Sequence, residues 1–486
     1  MSTQIKPARA RATPKPARTR TRPHPLLRTR FSPAQLLAQF LKLLPLTQLP
    51  AWLADGPGDF YQRAFTPLIT LWYFVFQRLS DNHHLSHVVA DAGAGGADRL
   101  SPKGKPLSRQ LRSEATTSFS DARQRLPLAV LVQTLQHTAA RIAAAFQPPT
   151  WFGLKVALLD GTTVRFRPLG DLPKAFPPHR PGNCKKDPYW CVARAAALFD
   201  LATGAVLDTA LDSLRVSEQA LATRIFQRVW QGWLIIADRN FGVFSVACAA
   251  VAARAHLLAR LTEARARKLA RQVGRPLAPG LDVRFTWEPS RHDQCPAGLP
   301  PTPVAGRLIV VRVARRGFRT VTLYLFTTLR DAQTCPVEEL AQLYGQRWHV
   351  ELDLRYLKTQ MDLGFLECHS AEMGHKEWRA GLIAYNLIRW TMAAAAARAQ
   401  VPVLTLSFSR ARELLLGWVT RHWGRRPRVS TWARLLARVA KARLPKRRQP
   451  RPWEPRAIRH FQKDFAKLEG SRALARQELA ATYAKS

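Results

Sequence analysis

The sequence predicts an α/β protein with a β-rich insertion, preceded by a helical segment and followed by a basic helical one. Three observations predict it. Two short apolar runs, Lys155–Leu159 and Trp233–Ala237, each end on an aspartate, Asp160 and Asp238. A later helical stretch carries Tyr344, Arg347, Glu351 and Lys358. At 100° per residue these four fall within roughly a 60° arc, so one helix face bears them all. Finally, lysine and arginine number 75 against 33 acids, for a net charge of +42.

That charge opposes compaction by self-repulsion unless a polyanion neutralises it, and the polyanion that binds such surfaces through its phosphates is nucleic acid. A membrane partner is not expected, because the longest apolar stretches, Leu68–Phe76 and Val243–Ala253, fall short of a bilayer span. A chain of 486 residues exceeds one ordinary core, so about two to four domains are expected. The six cysteines (184, 191, 248, 295, 335, 368) lack metal-ligand spacing, and no disulfide framework is expected. The basic start leads into no apolar segment, so no signal peptide is expected and the cytoplasm is the expected location.

Residues 1–31 alternate proline, alanine and threonine with cations and hold no acid, which predicts a disordered basic arm. Residues 32–150 read as a helical N-terminal domain contacting DNA. Ser32-Pro33 and Thr66-Pro67 look like helix starts, and Leu126–Phe146 supplies a further helix. Residues 151–255 form the first part of the catalytic core. Lys155–Leu159 is its first strand, Trp190–Asp200 and Ala205–Leu211 a hairpin across Thr203-Gly204, Ser217–Trp230 a helix, and Trp233–Ala237 a buried strand. Hairpin, helix and strand, with acids at two strand ends, is the order of ribonuclease-H-like folds. Strand-like runs Asp282–Trp287, Arg307–Val313 and Thr320–Thr328 predict a β-rich insertion over residues 256–332. Residues 333–420 complete the core with helices, including Trp378–Gln400, and residues 421–486 form a basic C-terminal region expected to be partly disordered.

Three carboxylates suit a pair of Mg²⁺ ions, which prefer hard oxygen ligands and promote in-line phosphoryl displacement. Asp160, Asp238 and Glu351 fit that count, with Asp160 the candidate bridge between the metals. Each alone has a plainer reading. Asp160 before Gly161 suits a turn, Asp238 can cap the turn at Arg239–Gly242, and Arg347–Glu351 can be a helix ion pair worth about 0.2–0.5 kcal/mol. An acid between two cations and a phenol is nevertheless odd on a solvent face unless phosphate lies among them. Asp353 points about 160° away from Glu351. Glu338 and Glu339 suit the helix dipole. Arg355 falls on the functional face as an additional phosphate contact, whereas Trp348 and Leu352 read as core.

The spacing Tyr344-x2-Arg347-x3-Glu351-x6-Lys358 resembles the Tyr-Arg-Glu-Lys signature of bacterial transposases of the insertion-sequence-four family. Leu159–Thr162 and Ala237–Phe241 are similar to its two aspartate motifs, and Phe199–Asp208, Phe65–Trp72 and Glu454–Ala457 resemble flanking stretches. The resemblance spans most of residues 60–465. It implies a DDE transposase on a ribonuclease-H-like core. Asp160, Asp238 and Glu351 would bind two Mg²⁺ ions (or Mn²⁺), and Tyr344, Arg347 and Lys358 would contact phosphates near the transposon end. Trp287 stands as a counterpart of a tryptophan that holds a flipped base, against a plain packing role in the insertion. The chain departs from the pattern in Arg165–Gly170, which lacks an acidic loop, and in Arg239-Asn240, where Arg-Tyr is more usual.

The implied activity is cut-and-paste DNA transposition. The enzyme would bind terminal inverted repeats, cleave to free a 3′ hydroxyl and join it to target DNA, as a homodimer on double-stranded DNA near the bacterial nucleoid. No small-molecule substrate is expected. The rivals are a ribonuclease-H-like nuclease or junction resolvase, and a domesticated transposase that only binds DNA.

Overall fold

The computed structural model describes residues 26–45, 48–54, 64–101, 105–147, 150–178, 189–291, 293, 295, 298–313, 321–445, 457–458, 466–468 and 470–484. Most of the expected basic arm, Cys184, the basic run Lys446-Arg447-Arg448 and residues 454–456 lie outside these.

One mixed sheet organises the chain, in the order β3-β2-β1-β4-β5-β8-β7-β6. Its strands are β1 (Lys155–Phe166), β2 (Cys191–Asp200), β3 (Val206–Ser213), β4 (Trp233–Ala237), β5 (His256–Arg260), β6 (Asp282–Trp287), β7 (Val304–Val313) and β8 (Val321–Thr327). A short β9 (Phe365–Leu366) pairs with the far end of β1. β1, β2 and β3 form an antiparallel meander. β1, β4 and β5 run parallel.

The centre of the sheet is covered on both faces, so Val156–Leu159 and Leu234–Ala237 are continuous apolar runs. Their alternation sorts them between two cores. Ala157, Leu159, Ile235 and Ala237 pack with the helices Glu218–Ile225, Phe244–Ala252 and Glu263–Gln272. Val156, Leu158, Leu234 and Ile236 face the opposite core, which holds the N-terminal and C-terminal helices.

That second core is built around the helix Ala371–Ala399, buried almost all round from Gly374 to Ala397. Alanine and glycine let neighbours approach closely; a Cβ on Gly381 would meet Leu363 at 2.4 Å. Ser370 caps its start, accepting from the Met373 N–H, and Gln400 ends it in the left-handed region at φ 50. The helices Pro67–Leu79 and Leu128–Ala145 pack directly on it. At the other end of the chain, Trp423 stacks on Trp72 with ring centroids 4.3 Å apart. Trp432 meets Phe40 at 4.7 Å.

Several expectations change. β1 does not stop at Asp160; it runs on to Phe166 because β2 continues beside it through Phe166↔Cys191 and β9 joins at Arg165. Beyond the aspartate its burial alternates, as befits a strand with one exposed face. β5, assigned by sequence to the insertion, pairs parallel with β4 in the core, and β6, β7 and β8 extend the same sheet. The expected arm is anchored at its end, where Leu27 is buried and Arg28 pairs with Gln147. The expected partly disordered C-terminal region contains the helix Val429–Lys441, which buries Trp432, Leu435, Leu436 and Val439. The helix starts at Ser32 and Thr66 fall where predicted, Ser32 and Gln35 forming a reciprocal capping box. Among the described residues no helix is long and apolar enough to cross a membrane.

Candidate active site

The ladder between β1 and β4 ends at Leu159↔Ala237, so the next residue on each strand is an aspartate. Asp160 and Asp238 therefore stand side by side where two parallel strands part, an edge at which loops leave room for a ligand. Each carboxylate is braced by its own turn. Asp160 accepts the Gly161 N–H at 2.8 Å. Asp238 accepts the Asn240 N–H at 2.8 Å. Burial pushes the Asp160 carboxyl up to about 6; the charges of Asp238 and Glu218 push the same way, against the Gly161 N–H and Arg347.

Arg347 closes the third side. Its guanidinium lies 3.5 Å from Asp160 and 2.5 Å from Glu351. Glu351 thus reaches the aspartates through a cation rather than directly. Among the described residues no three histidine, cysteine, aspartate or glutamate side chains converge closely enough to hold one metal ion.

The backbone that carries Tyr344, Arg347, Glu351 and Lys358 is not one uniform α-helix. Val337–Tyr344 is α-helical, Gly345–Arg347 a 3₁₀ turn, Trp348–Arg355 α-helical again and Tyr356–Gln360 a π-turn. These turns advance by more and by less than 100° per residue, and Arg347 and Glu351 still meet across one turn. Tyr344 is buried at 6% exposure. Burial pushes its phenol up to about 12, with the nearby Arg347 and Arg260 opposing and Asp238 and Asp160 reinforcing. Tyr344 is therefore a neutral hydrogen-bonding group beside the aspartates. Lys358 is exposed overall, but partial desolvation by the atoms around its amine, together with the nearby Arg165, lowers its pKa. Arg355 is exposed in the last turn of its helix.

One aromatic expectation also changes. Trp348 is not core; it stands 58% exposed. Trp287 is 6% exposed, with its ring 4.9 Å from Phe326 and 6.1 Å from Phe244. Without DNA the ring is therefore packed among the insertion's aromatics, as the plain reading expects. Asp353 is turned away from the site, buried against Arg389 and Tyr385.

Sequence reasoning missed Glu218. It opens the helix Glu218–Ile225, where negative charge suits the N-terminus, and its carboxylate accepts from the Asn240 side-chain amide. The available signal was the Ser217 cap itself. A helix that follows β3 and leads into β4 must begin near the sheet edge where Asp160 lies.

Residues 151–387 match the family described as transposase DDE domain. That span includes Asp160, Asp238 and Glu351. The chain is also 25% identical over 282 residues to the transposase InsG for insertion sequence element IS4 of Escherichia coli strain K12. Over these stretches the chain is similar to DDE transposases, among them one of an insertion-sequence-four element. The aligned part covers 57% of this chain and 61% of that relative, less than two thirds of its length. A cryo-EM structure of piggyBac transposase synaptic complex with hairpin DNA aligns over 88% of this chain and 89% of its own, at 10% identity and a TM-score of 0.39. That likeness is too weak to carry an argument.

The family's divalent cations can be tested against these side chains. Asp160 and Asp238 are adjacent hard-oxygen donors whose mutual repulsion a cation would relieve, so the pair fits. Glu351, held by Arg347, joins such a site only by exchanging that partner.

Proposed function

We propose that this chain catalyses DNA transposition: it binds the terminal inverted repeats of an insertion sequence, cleaves at the element end to free a 3′ hydroxyl and joins that hydroxyl to target DNA. The observation that carries this reading is the pair of aspartates on adjacent parallel strands, linked through Arg347 to Glu351. The strand order β3-β2-β1-β4-β5, antiparallel then parallel, supports a ribonuclease-H-like core. The net charge of +42 supports duplex DNA as partner.

In this mechanism Asp160 and Asp238 hold divalent cations, Mg²⁺ or Mn²⁺, and Glu351 completes the set. Such ions supply activation of the attacking oxygen and stabilisation of the leaving one. Arg347 has a second role. Free of DNA it neutralises Asp160 and Glu351; with a phosphate present its planar donors turn to the phosphate and release both acids. Lys358 and Arg355 add positive charge on exposed positions of the same helical segment, and the Tyr344 phenol stays protonated as a donor. No side chain attacks the DNA, so no covalent protein–DNA intermediate forms. Two element ends are cut together by a homodimer. Residues 32–150 and the basic termini supply further duplex contacts.

The test is a cleavage and strand-transfer assay with Mg²⁺, a labelled element end and a target plasmid, wild type beside Glu351→Gln. Joined products that vanish in the variant support transposition by these acids. Nicks without joining favour a nuclease or resolvase, and metal-independent binding alone marks a DNA-binding remnant.

A further inference from the structure

Glu218 sits between the turns that carry the two aspartates. On one side its carboxylate accepts from Asn240 Nδ2, and the Asn240 backbone N–H donates to Asp238 Oδ1. On the other it lies flat against Gly161, whose N–H donates to Asp160 Oδ1. The approach is close: a Cβ on Gly161 would meet Glu218 Cδ at 2.4 Å and its oxygens at 2.5 and 2.9 Å. The carboxylate fills the place a side chain at 161 would take.

The surrounding hydrogen bonds fix this arrangement. An ionised carboxylate only accepts, so the Asn240 amide must turn its nitrogen to Glu218 and its oxygen away. That oxygen accepts from Gln219 Nε2 at 2.7 Å, and the same nitrogen donates to the Asn240 backbone carbonyl at 2.8 Å. The first turn of the helix Glu218–Ile225 therefore grips Asn240 at three atoms. Upstream, Arg194 on β2 donates to the Leu214 and Val216 carbonyls at 3.0 and 2.6 Å, setting where that helix begins.

We propose that Glu218 is a positioning residue that holds Asp160 and Asp238 at their cation-binding separation, through Gly161 on one side and Asn240 on the other. The residue at 240 departs from the usual Arg-Tyr pairing, and here it is the link that makes the brace. A role confined to capping the helix would need neither contact, because Ser217 already caps it by accepting from the Ala220 N–H. The inference rests on the reading of Asp160 and Asp238 as cation ligands, and the experiment separates the two.

Mn²⁺ binding to the full chain is followed by the paramagnetic signal of the free ion, with thermal unfolding of each variant alongside. Asp160→Asn tests the underlying reading and removes the site. Glu218→Ala weakens Mn²⁺ binding about tenfold or more, the usual cost of losing a group that orients a metal ligand. Glu218→Gln keeps an acceptor for Asn240 and recovers most of that loss. Gly161→Ala displaces the carboxylate and weakens binding in the wild-type background, but not when Glu218→Ala has already made room. Gly161→Ala in the wild-type background, which leaves Glu218 in place, carries the test if Glu218→Ala alone disturbs folding.

Wild-type affinity in Glu218→Ala would overturn the proposal. So would equal loss in Glu218→Gln and Glu218→Ala, which would assign the effect to charge, or an equal Gly161→Ala effect in both backgrounds. If Asp160→Asn leaves Mn²⁺ binding unchanged, the cation site itself is wrong and the role of Glu218 falls with it.

Discussion

Arginine meets carboxylate in two contrasting settings in this molecule. In the interior, Glu377 on the helix Ala371–Ala399 takes both Arg78 and Arg123, all three buried. Nearby on the same helix, Arg389 and Tyr385 hold Asp353. At the site, Arg347 is shared between Asp160 and Glu351, with side-chain exposures of 20%, 18% and 36%. The interior acids have a surplus of fixed donors and are buried from solvent. The site has one donor for two acids and an open side. The first arrangement ties the N-terminal helices to the core; the second leaves its charges free to exchange partners when phosphate and cations arrive. Identical chemistry becomes scaffold or site according to how many partners are fixed and how much solvent remains.

The comparison breaks most visibly at Glu377. Glu377→Ala strands two buried guanidinium groups, and we expect a loss of about 3–5 kcal/mol in denaturant unfolding. A loss under about 1 kcal/mol would mean water reaches the cluster and the contrast is false. At the site the pattern inverts. Asp160→Asn and Glu351→Gln should cut DNA cleavage by at least about 10²-fold, while their melting temperatures stay at or above wild type. A melting point well below wild type would make these acids structural.

A smaller effect follows from pH. The folded-state pKa of Asp160, about 6, exceeds its ordinary value of 3.8. The folded protein therefore binds this proton more tightly than the unfolded chain. The associated stability is present below pH 3.8 and is lost as pH rises through about 6. Wild type minus Asp160→Asn isolates it. At pH 7 the variant should be more stable by on the order of 1 kcal/mol, and at about pH 4 the gap should close. Millimolar Mg²⁺ should restore wild type at pH 7 and do nothing for the variant. A gap independent of pH would show that the Asp160 carboxyl is not perturbed. The smallest effect belongs to the exposed pair Arg267–Glu263, where Glu263→Gln should change stability by less than about 0.5 kcal/mol. A larger change there would erase the distinction between exposed and buried pairs.

Much of this was legible before any coordinates. Ser32-Pro33 and Thr66-Pro67 announced helices that begin there, because a cap and a proline act within one turn. Apolar runs ending on Asp160 and Asp238 announced two central strands, because burial on both faces demands unbroken hydrophobicity. The excess of cations points to a polyanionic partner.

The tertiary structure alone decided the rest. β1 outruns its apolar segment because β2 and β9 supply ladder partners that lie far along the chain. The segment carrying Arg347 and Glu351 leaves α winding at two places, a departure invisible to any argument built on a constant 100°. Trp348 stands exposed where a core place was expected, since a lone aromatic is buried or exposed according to what packs beside it, not by its own chemistry. Glu218 reaches the aspartates because a helix between two strands returns its first turn to the sheet edge. Sequence carries short-range physics such as caps, periodicity and charge. Only long-range contacts decide which residues share a site.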